Sequence, residues 1–99
     1  VDRNIAASPD TGNFSDNTIR EEGLAKSFPL AVTCDYKARD LGPSGEHELY
    51  DLHRCFSIGK EAGFHGPWCL EHLNRNTASQ FRELGMLRDM IRKWSRESS

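Results

Sequence analysis

The most constraining feature of this chain is an apolar stripe near its C-terminus, within residues 77–95. Apolar residues recur there at spacings of three and four, which places them on one face of an α-helix; they are Phe81, Leu84, Leu87, Ile91 and Trp94. Thr77 followed by Gln80 fits a capping box at the helix start. Gly85 alone disfavours the helix, by about 1 kcal/mol relative to Ala. A helix this amphipathic must bury its stripe, so the preceding chain is expected to supply a surface.

Length and charge limit the classes of protein to which the chain can belong. Its 99 residues allow one hydrophobic core, and a hydrophobic content of 36% predicts a thin one. Residues 1–51 carry ten acidic and five basic residues, whereas residues 75–99 carry six basic and three acidic ones. A net charge of −2 does not indicate nucleic-acid binding. Because no apolar run approaches the roughly 20 residues of a membrane-spanning helix, we expect no membrane partner.

The N-terminal part of the chain is predicted to be a flexible tail over residues 1–17, followed by a single small globular domain over residues 18–99. Polar, Gly and Pro residues dominate the tail, so burial would not offset the entropy lost on ordering it. Residues 13–15 match an N-glycosylation sequon, a motif too short to decide anything. Thr18 with Glu21 is a second capping-box pattern and predicts a short helix nearby.

The remaining elements are predicted from shorter patterns. Residues 29–37 alternate between apolar and other side chains, which is typical of a strand with one buried face. Residues 46–59 fit a strand or a helix, and we favour a strand because a hairpin would give the C-terminal helix a surface. Pro67 favours a short helix over residues 68–73. The predicted fold is α+β, with a small antiparallel sheet that includes residues 29–37 packed against the helix at 77–95.

The three cysteines leave several states open. A hairpin would place Cys34 almost opposite Cys55, and a disulfide between them would add about 3 kcal/mol on the chain-entropy model. Cys34 could instead pair with Cys69, or all three thiols could be reduced and buried. We favour the Cys34–Cys55 disulfide, because a chain that begins at Val1 suggests removal of a leader and an oxidising compartment.

Zinc is the alternative use of the same residues. Cys55, His65, Cys69 and His72 provide four ligand types suited to tetrahedral zinc. Metal binding would supply folding energy to a chain with a thin core. However, the spacing lacks a paired Cys-x2-Cys element, and the sequence otherwise indicates no cofactor.

Two further surfaces carry candidate chemistry. A metal-independent ribonuclease uses two histidines and a cation, and this chain offers such types at His47, Glu48, His53, Arg54 and His65. The polar side of the C-terminal helix could contact phosphates; its basic residues are Arg82, Arg92, Lys93 and Arg96. Solvated side chains explain both groups more simply.

From these patterns we expect a small, exported, non-enzymatic protein that binds a protein partner in an effector- or toxin-like role. A zinc-stabilised nucleic-acid-binding module, placed in the cytoplasm, is the alternative. A small ribonuclease is the third hypothesis.

Overall fold

The structure is a computed structural model that describes residues 7–12, 14, 16–74 and 76–97. Its described part contains three α-helices, a 3-10 turn and a two-stranded sheet, so the predicted α+β class is confirmed. In chain order the elements are α1 (Asn17–Ser27), the 3-10 turn (Phe28–Leu30), β1 (Cys34–Arg39), α2 (Leu52–Glu61), β2 (Trp68–Leu73) and α3 (Thr77–Glu97).

The two strands are parallel, and the predicted antiparallel sheet is therefore wrong. Cys34 lies opposite Trp68, and the register continues to Arg39 opposite Leu73. Parallel strands cannot be joined by a tight turn and need a long crossover, usually a helix. That crossover contains α2, which lies in the segment we predicted as the second strand of a hairpin.

The sequence of residues 46–59 fits a strand or a helix, and in the structure the residues from Leu52 onward belong to helix α2. Asp51 caps α2 by accepting a hydrogen bond from the Arg54 N–H at 2.9 Å. The buried residues of α2 follow helical spacing, at Leu52, Cys55, Phe56, Ile58 and Gly59. Arg54, which interrupted the strand pattern, lies on the solvent side and pairs with Glu21 at 3.0 Å. The helix buries all its apolar residues, which the strand could not do.

Residues 68–73, predicted as a short helix, form strand β2 instead. Alternate side chains explain this: His72 is buried, whereas Cys69 and Glu71 are exposed. Trp68 lies at the centre of an aromatic cluster, with ring centroids of Phe28, Tyr36, Phe56 and Phe64 at 4.8–5.5 Å. A Cβ at Gly59 would come within 2.6 Å of the Trp68 ring, so only glycine fits at this position of α2. Packing around Trp68 thus outweighs the local helix signal of Pro67.

The strand predicted at 29–37 is confirmed only for its second half. Pro29 lies in the 3-10 turn, and Val32 is 62% exposed. β1 begins at Cys34, where alternate side chains become fully buried.

Residues 7–11 lie along the other edge of β1. The Asp35 N–H donates to Pro9 O at 2.8 Å, and the Thr11 N–H donates to Asp35 O at 3.1 Å. Thr11 is buried, and its hydroxyl bonds both backbone groups of Lys37. Residues 1–6 of the predicted tail and two positions of the sequon lie outside the described residues. The flexibility of residues 1–17 and the domain boundary stay predictions.

The C-terminal helix predicted at 77–95 is confirmed as α3, which extends to Glu97. Its cap is Asn76 rather than Thr77, because the Asn76 side chain accepts from the Ser79 N–H at 2.9 Å. In the same way, Asp16 rather than Thr18 caps α1, accepting from the Ile19 N–H at 2.8 Å. Both predicted helices exist, each with a cap one or two residues earlier than the capping-box patterns indicated.

The apolar stripe of α3 is not buried along its whole length. Leu87 is fully buried, whereas Leu84, Ile91 and Trp94 are half-buried and Phe81 is 69% exposed. The middle of α3 therefore belongs to the core, and its first turns present apolar surface to solvent. Among the described residues, no helix combines the length and apolar character needed to cross a membrane.

We expect Leu87→Ala to lower the free energy of unfolding by about 2–5 kcal/mol, because it empties a fully buried site. The matched change Phe81→Ala, on the same helix, should alter stability by no more than about 0.5 kcal/mol because the ring is mostly exposed. Urea unfolding of both variants measures the difference. Equal losses would contradict the placement of α3 described here.

Candidate functional site

The sheet has two unlike faces. Cys34, Tyr36 and Ala38 of β1 are buried on the helix-covered face, together with His72 of β2. The opposite face, here called the open face, carries side chains that are half-buried or exposed: Asp35, Lys37 and Arg39 from β1, and Cys69 and Glu71 from β2. Parallel sheets are usually covered on both faces, so the open face is unusual and is the first candidate for function.

Three carboxylates meet on the open face. Oxygen atoms of Asp10, Asp35 and Glu71 lie within 4.8 Å of one another, the only such set of three His, Cys, Asp or Glu ligand atoms within the described residues. The Lys37 ammonium lies 3.2 Å from Asp10 and 3.8 Å from Glu71. Carboxylates suit hard divalent cations, but Lys37 already gives two of these three an opposite charge. The geometry supports an acidic surface rather than a defined metal centre.

The four predicted zinc ligands are not brought together. Cys55 is buried on α2, and His65 is exposed in the loop before β2. Cys69 and His72 are three residues apart on a strand, so their side chains point to opposite faces. In the helix predicted at residues 68–73, the two side chains would have shared a face. The structure thus offers no support for zinc at these positions.

All three cysteines are free thiols, and the Cys34–Cys55 disulfide is not formed. The pairing depended on a hairpin, whereas the residue opposite Cys34 is Trp68. Burial raises the pKa of Cys34 to about 12 and that of Cys55 to about 11, so both stay protonated near neutral pH. Cys69 is exposed on the open face, 3.2 Å from the Thr33 hydroxyl.

The histidines proposed for ribonuclease chemistry are held in structural roles or lie apart. His47 Nε2 accepts from the Arg39 N–H at 3.0 Å, and its Nδ1 donates to Tyr50 O at 3.0 Å. Burial lowers the pKa of His47, which favours this neutral form. Both ring nitrogens are therefore committed to the backbone and are not available for proton transfer.

His53 and His47 both line an open cavity of about 480 Å³. Its ring stacks on Trp94, with centroids 4.5 Å apart and planes at 7°. The cavity also contains Glu46, Glu48 and Asp51. These carboxylates would repel the phosphates of RNA, and the geometry does not favour a nuclease.

The predicted basic face of α3 is exposed but not uniformly positive. Lys93 Nζ lies 3.9 Å from Glu97, and Arg82 Nη2 lies 3.8 Å from Glu83. Arg92 and Arg96 are exposed on the last turns. Binding of a nucleic acid or an acidic partner to this face stays a prediction.

A buried polar network that the sequence analysis missed joins α3 to the end of the sheet. Glu83 Oε1 accepts from His72 Nε2 at 2.9 Å and from the Leu41 N–H at 2.6 Å. Glu83 Oε2 accepts from the Asn74 side chain at 2.8 Å. Burial acts to raise the pKa of Glu83, but these hydrogen bonds act to lower it, and the net pKa is below its usual value. The sequence feature that could have indicated this network is the acidic residue Glu83, one turn before Leu87 on the buried side of the helix.

The outer edge of β2 lies beside an apolar groove. β2 pairs with β1 on one side, and within the described residues no strand pairs with its other side. The groove has a volume of about 310 Å³ and is lined by Leu70 of β2 and by Phe81, Leu84, Gly85 and Arg88 of α3. A Cβ added at Gly85 would meet only the Arg88 side chain, at 3.9 Å. Internal packing therefore does not require this glycine, and a larger side chain at this position would occupy space in the groove.

Comparison with known proteins adds no family assignment. Neither protein-family models nor curated protein sequences match this chain.

The Glu83 network predicts a specific dependence of stability on pH. Because the pKa of Glu83 is lowered on folding, its stabilisation is complete above its usual pKa of about 4.5 and is lost as pH falls through the folded-state value. We expect Glu83→Gln to lower the free energy of unfolding by about 1–3 kcal/mol at neutral pH. The difference from wild type should shrink in acid. A difference independent of pH between neutrality and strong acid would contradict the ionised network.

The thiols provide a second prediction. In native protein at mildly alkaline pH, an alkylating reagent should modify Cys69 alone, because the other two thiols are buried and protonated. After denaturation without reductant, all three should react, and mass spectrometry counts the adducts. A native Cys69→Ser control should stay unmodified. Failure of Cys34 and Cys55 to react after denaturation would instead reveal the disulfide.

Proposed function

We propose that this protein binds an extended segment of a protein partner, which adds as a strand to the outer edge of β2. The observation that carries the proposal is a groove between β2 and α3, lined by Leu70, Phe81, Leu84 and Gly85, next to a strand that is paired on one side only within the described residues. Strand addition obtains affinity from main-chain hydrogen bonds and specificity from pockets for alternate side chains. Here the unpaired edge of β2 offers the main-chain groups, and the groove offers the pocket for side chains.

The unpaired edge itself supports the proposal. An edge strand presents a row of backbone N–H and C=O groups that can pair with another chain. A sheet of two strands is marginal in isolation, so a further strand would add main-chain bonds to an existing template. β2 has six residues, which span about 20 Å at the usual rise and match a partner segment of similar length.

The groove supports the proposal from the other side. Phe81 is 69% exposed although it lies in the apolar stripe of α3. Leu70 and Leu84 are half-buried beside it. A strand on the outer edge of β2 would direct alternate side chains toward these residues, because successive side chains of a strand point to opposite faces. The partner would then bury apolar surface that the protein alone leaves in water.

This proposal retains the protein-binding role expected from the sequence and requires no catalytic group. Export and an effector- or toxin-like role stay predictions, because no described feature bears on them. The ribonuclease hypothesis is not favoured, since both nitrogens of His47 bond the backbone.

The test uses a fluorescein-labelled peptide of four Val-Thr repeats, whose residues favour strands. We expect its fluorescence anisotropy to rise with added protein, and Gly85→Leu to weaken binding at least about tenfold by filling the groove. Ser95→Leu is the matched control, because it adds the same side chain to an exposed position of the same helix. Backbone N-methylation of alternate peptide residues should also abolish binding.

Stability and exchange measurements complete this test. Gly85→Leu should not unfold the protein, since replacing a helical Gly with Leu gains up to about 1 kcal/mol of helix propensity. Peptide binding should slow amide hydrogen exchange in β2. No binding at millimolar peptide, or binding that Gly85→Leu leaves unchanged, would contradict strand addition at this edge.

A further inference from the structure

The open face and the groove together indicate which side chains the partner segment carries, an inference that rests on the proposed function. A strand paired with β2 would direct one set of side chains into the groove beside Leu70. The alternate set would lie on the open face, next to Glu71. The two sets therefore meet surfaces of different chemistry.

The open face carries one acidic residue where the added strand would lie. Glu71 is the only charged residue of β2 on this face, whereas Asp35, Lys37 and Arg39 lie one strand farther from the outer edge and Asp10 lies beyond β1. Lys37 lies on β1, on the far side of Glu71 from the outer edge. The Glu71 side chain is 48% exposed, so it remains accessible to a second cation from the added strand.

The groove side favours apolar side chains rather than cations. Four of its five lining residues are apolar or Gly: Leu70, Phe81, Leu84 and Gly85. The remaining one, Arg88, is already paired with Asp89 at 3.1 Å. None of the five lining residues is acidic, so a lysine or arginine directed to this side would lose water without gaining a carboxylate partner from the lining, which is unfavourable.

We infer that the partner segment alternates apolar residues, which enter the groove, with Lys or Arg residues, which lie beside Glu71 on the open face. Opposite charges on neighbouring strands stabilise the pairing, whereas like charges oppose it. The protein thus selects a basic, amphipathic strand. An acidic strand of the same length would place a carboxylate against that of Glu71.

The experiment compares peptides of four Val-Lys, four Val-Thr and four Val-Glu repeats by fluorescence anisotropy. We expect the Lys peptide to bind about tenfold more tightly than the Glu peptide, with the Thr peptide between them. Glu71→Gln should lower the ratio of the affinities for the Lys and Glu peptides at least about threefold. Glu22→Gln is the control, because it removes an equal charge from an exposed position of α1. A peptide with the four valines and four lysines in separate blocks tests the alternation.

The outcomes separate the two proposals. Equal binding of the three peptides, or a preference that Glu71→Gln leaves intact, would overturn the inference about charge while sensitivity to Gly85→Leu would still support strand addition. Binding of the block peptide as tightly as the alternating one would overturn the alternation. Binding of all peptides unaffected by Gly85→Leu would overturn both. If sedimentation shows a dimer that Gly85→Leu converts to a monomer, a second copy occupies the edge and the basic partner is wrong.

Discussion

The arrangement of α3 on the sheet depends on one buried carboxylate, that of Glu83. Its two oxygens accept hydrogen bonds from three separate parts of the chain: the backbone after β1 at Leu41, the end of β2 at His72, and the following turn at Asn74. Because the carboxylate accepts from Nε2, the Nδ1 of His72 is left as a buried atom without a partner in the described part of the chain. Removal of Glu83 would leave two buried donors and one half-buried donor without their acceptor, which costs more than one lost contact. The same network places the first turns of α3 beside β2, where the groove lies.

How much of this fold is predictable depends on the length of each signal. The stripe from Phe81 to Trp94 repeats over a helix of 21 residues, and α3 was predicted within two residues. α2 and β2 have ten and six residues. Patterns that short are compatible with both periodicities, and packing around Trp68 decided between them. The antiparallel direction was predicted wrongly because residues 46–59 were predicted as a strand. A hairpin requires a strand there, whereas the chain forms a crossover that contains α2.

The groove was less predictable than the fold, because a periodic pattern shows which residues are apolar but not which of them the protein leaves uncovered. Gly85 was read as a weakness of the helix, and Phe81 as part of the core. Both residues fit the strand addition that we propose for this surface. The structure gives the zinc and disulfide hypotheses no support, for a geometric reason: Cys55, Cys69 and His72 were placed by assumed elements, and side-chain direction changes with the element. Sequence spacing alone does not carry that direction.

The parallel register also determines how the sheet can form. Cys34 pairs with Trp68 and Arg39 with Leu73, so every rung of the ladder joins residues 34 positions apart. A hairpin closes from its turn, with each rung bringing the next pair together, but here no rung is local and each requires the whole crossover to be closed. Formation of the sheet therefore requires closure of the whole crossover that contains α2, an entropic cost that the first rung of a hairpin does not carry.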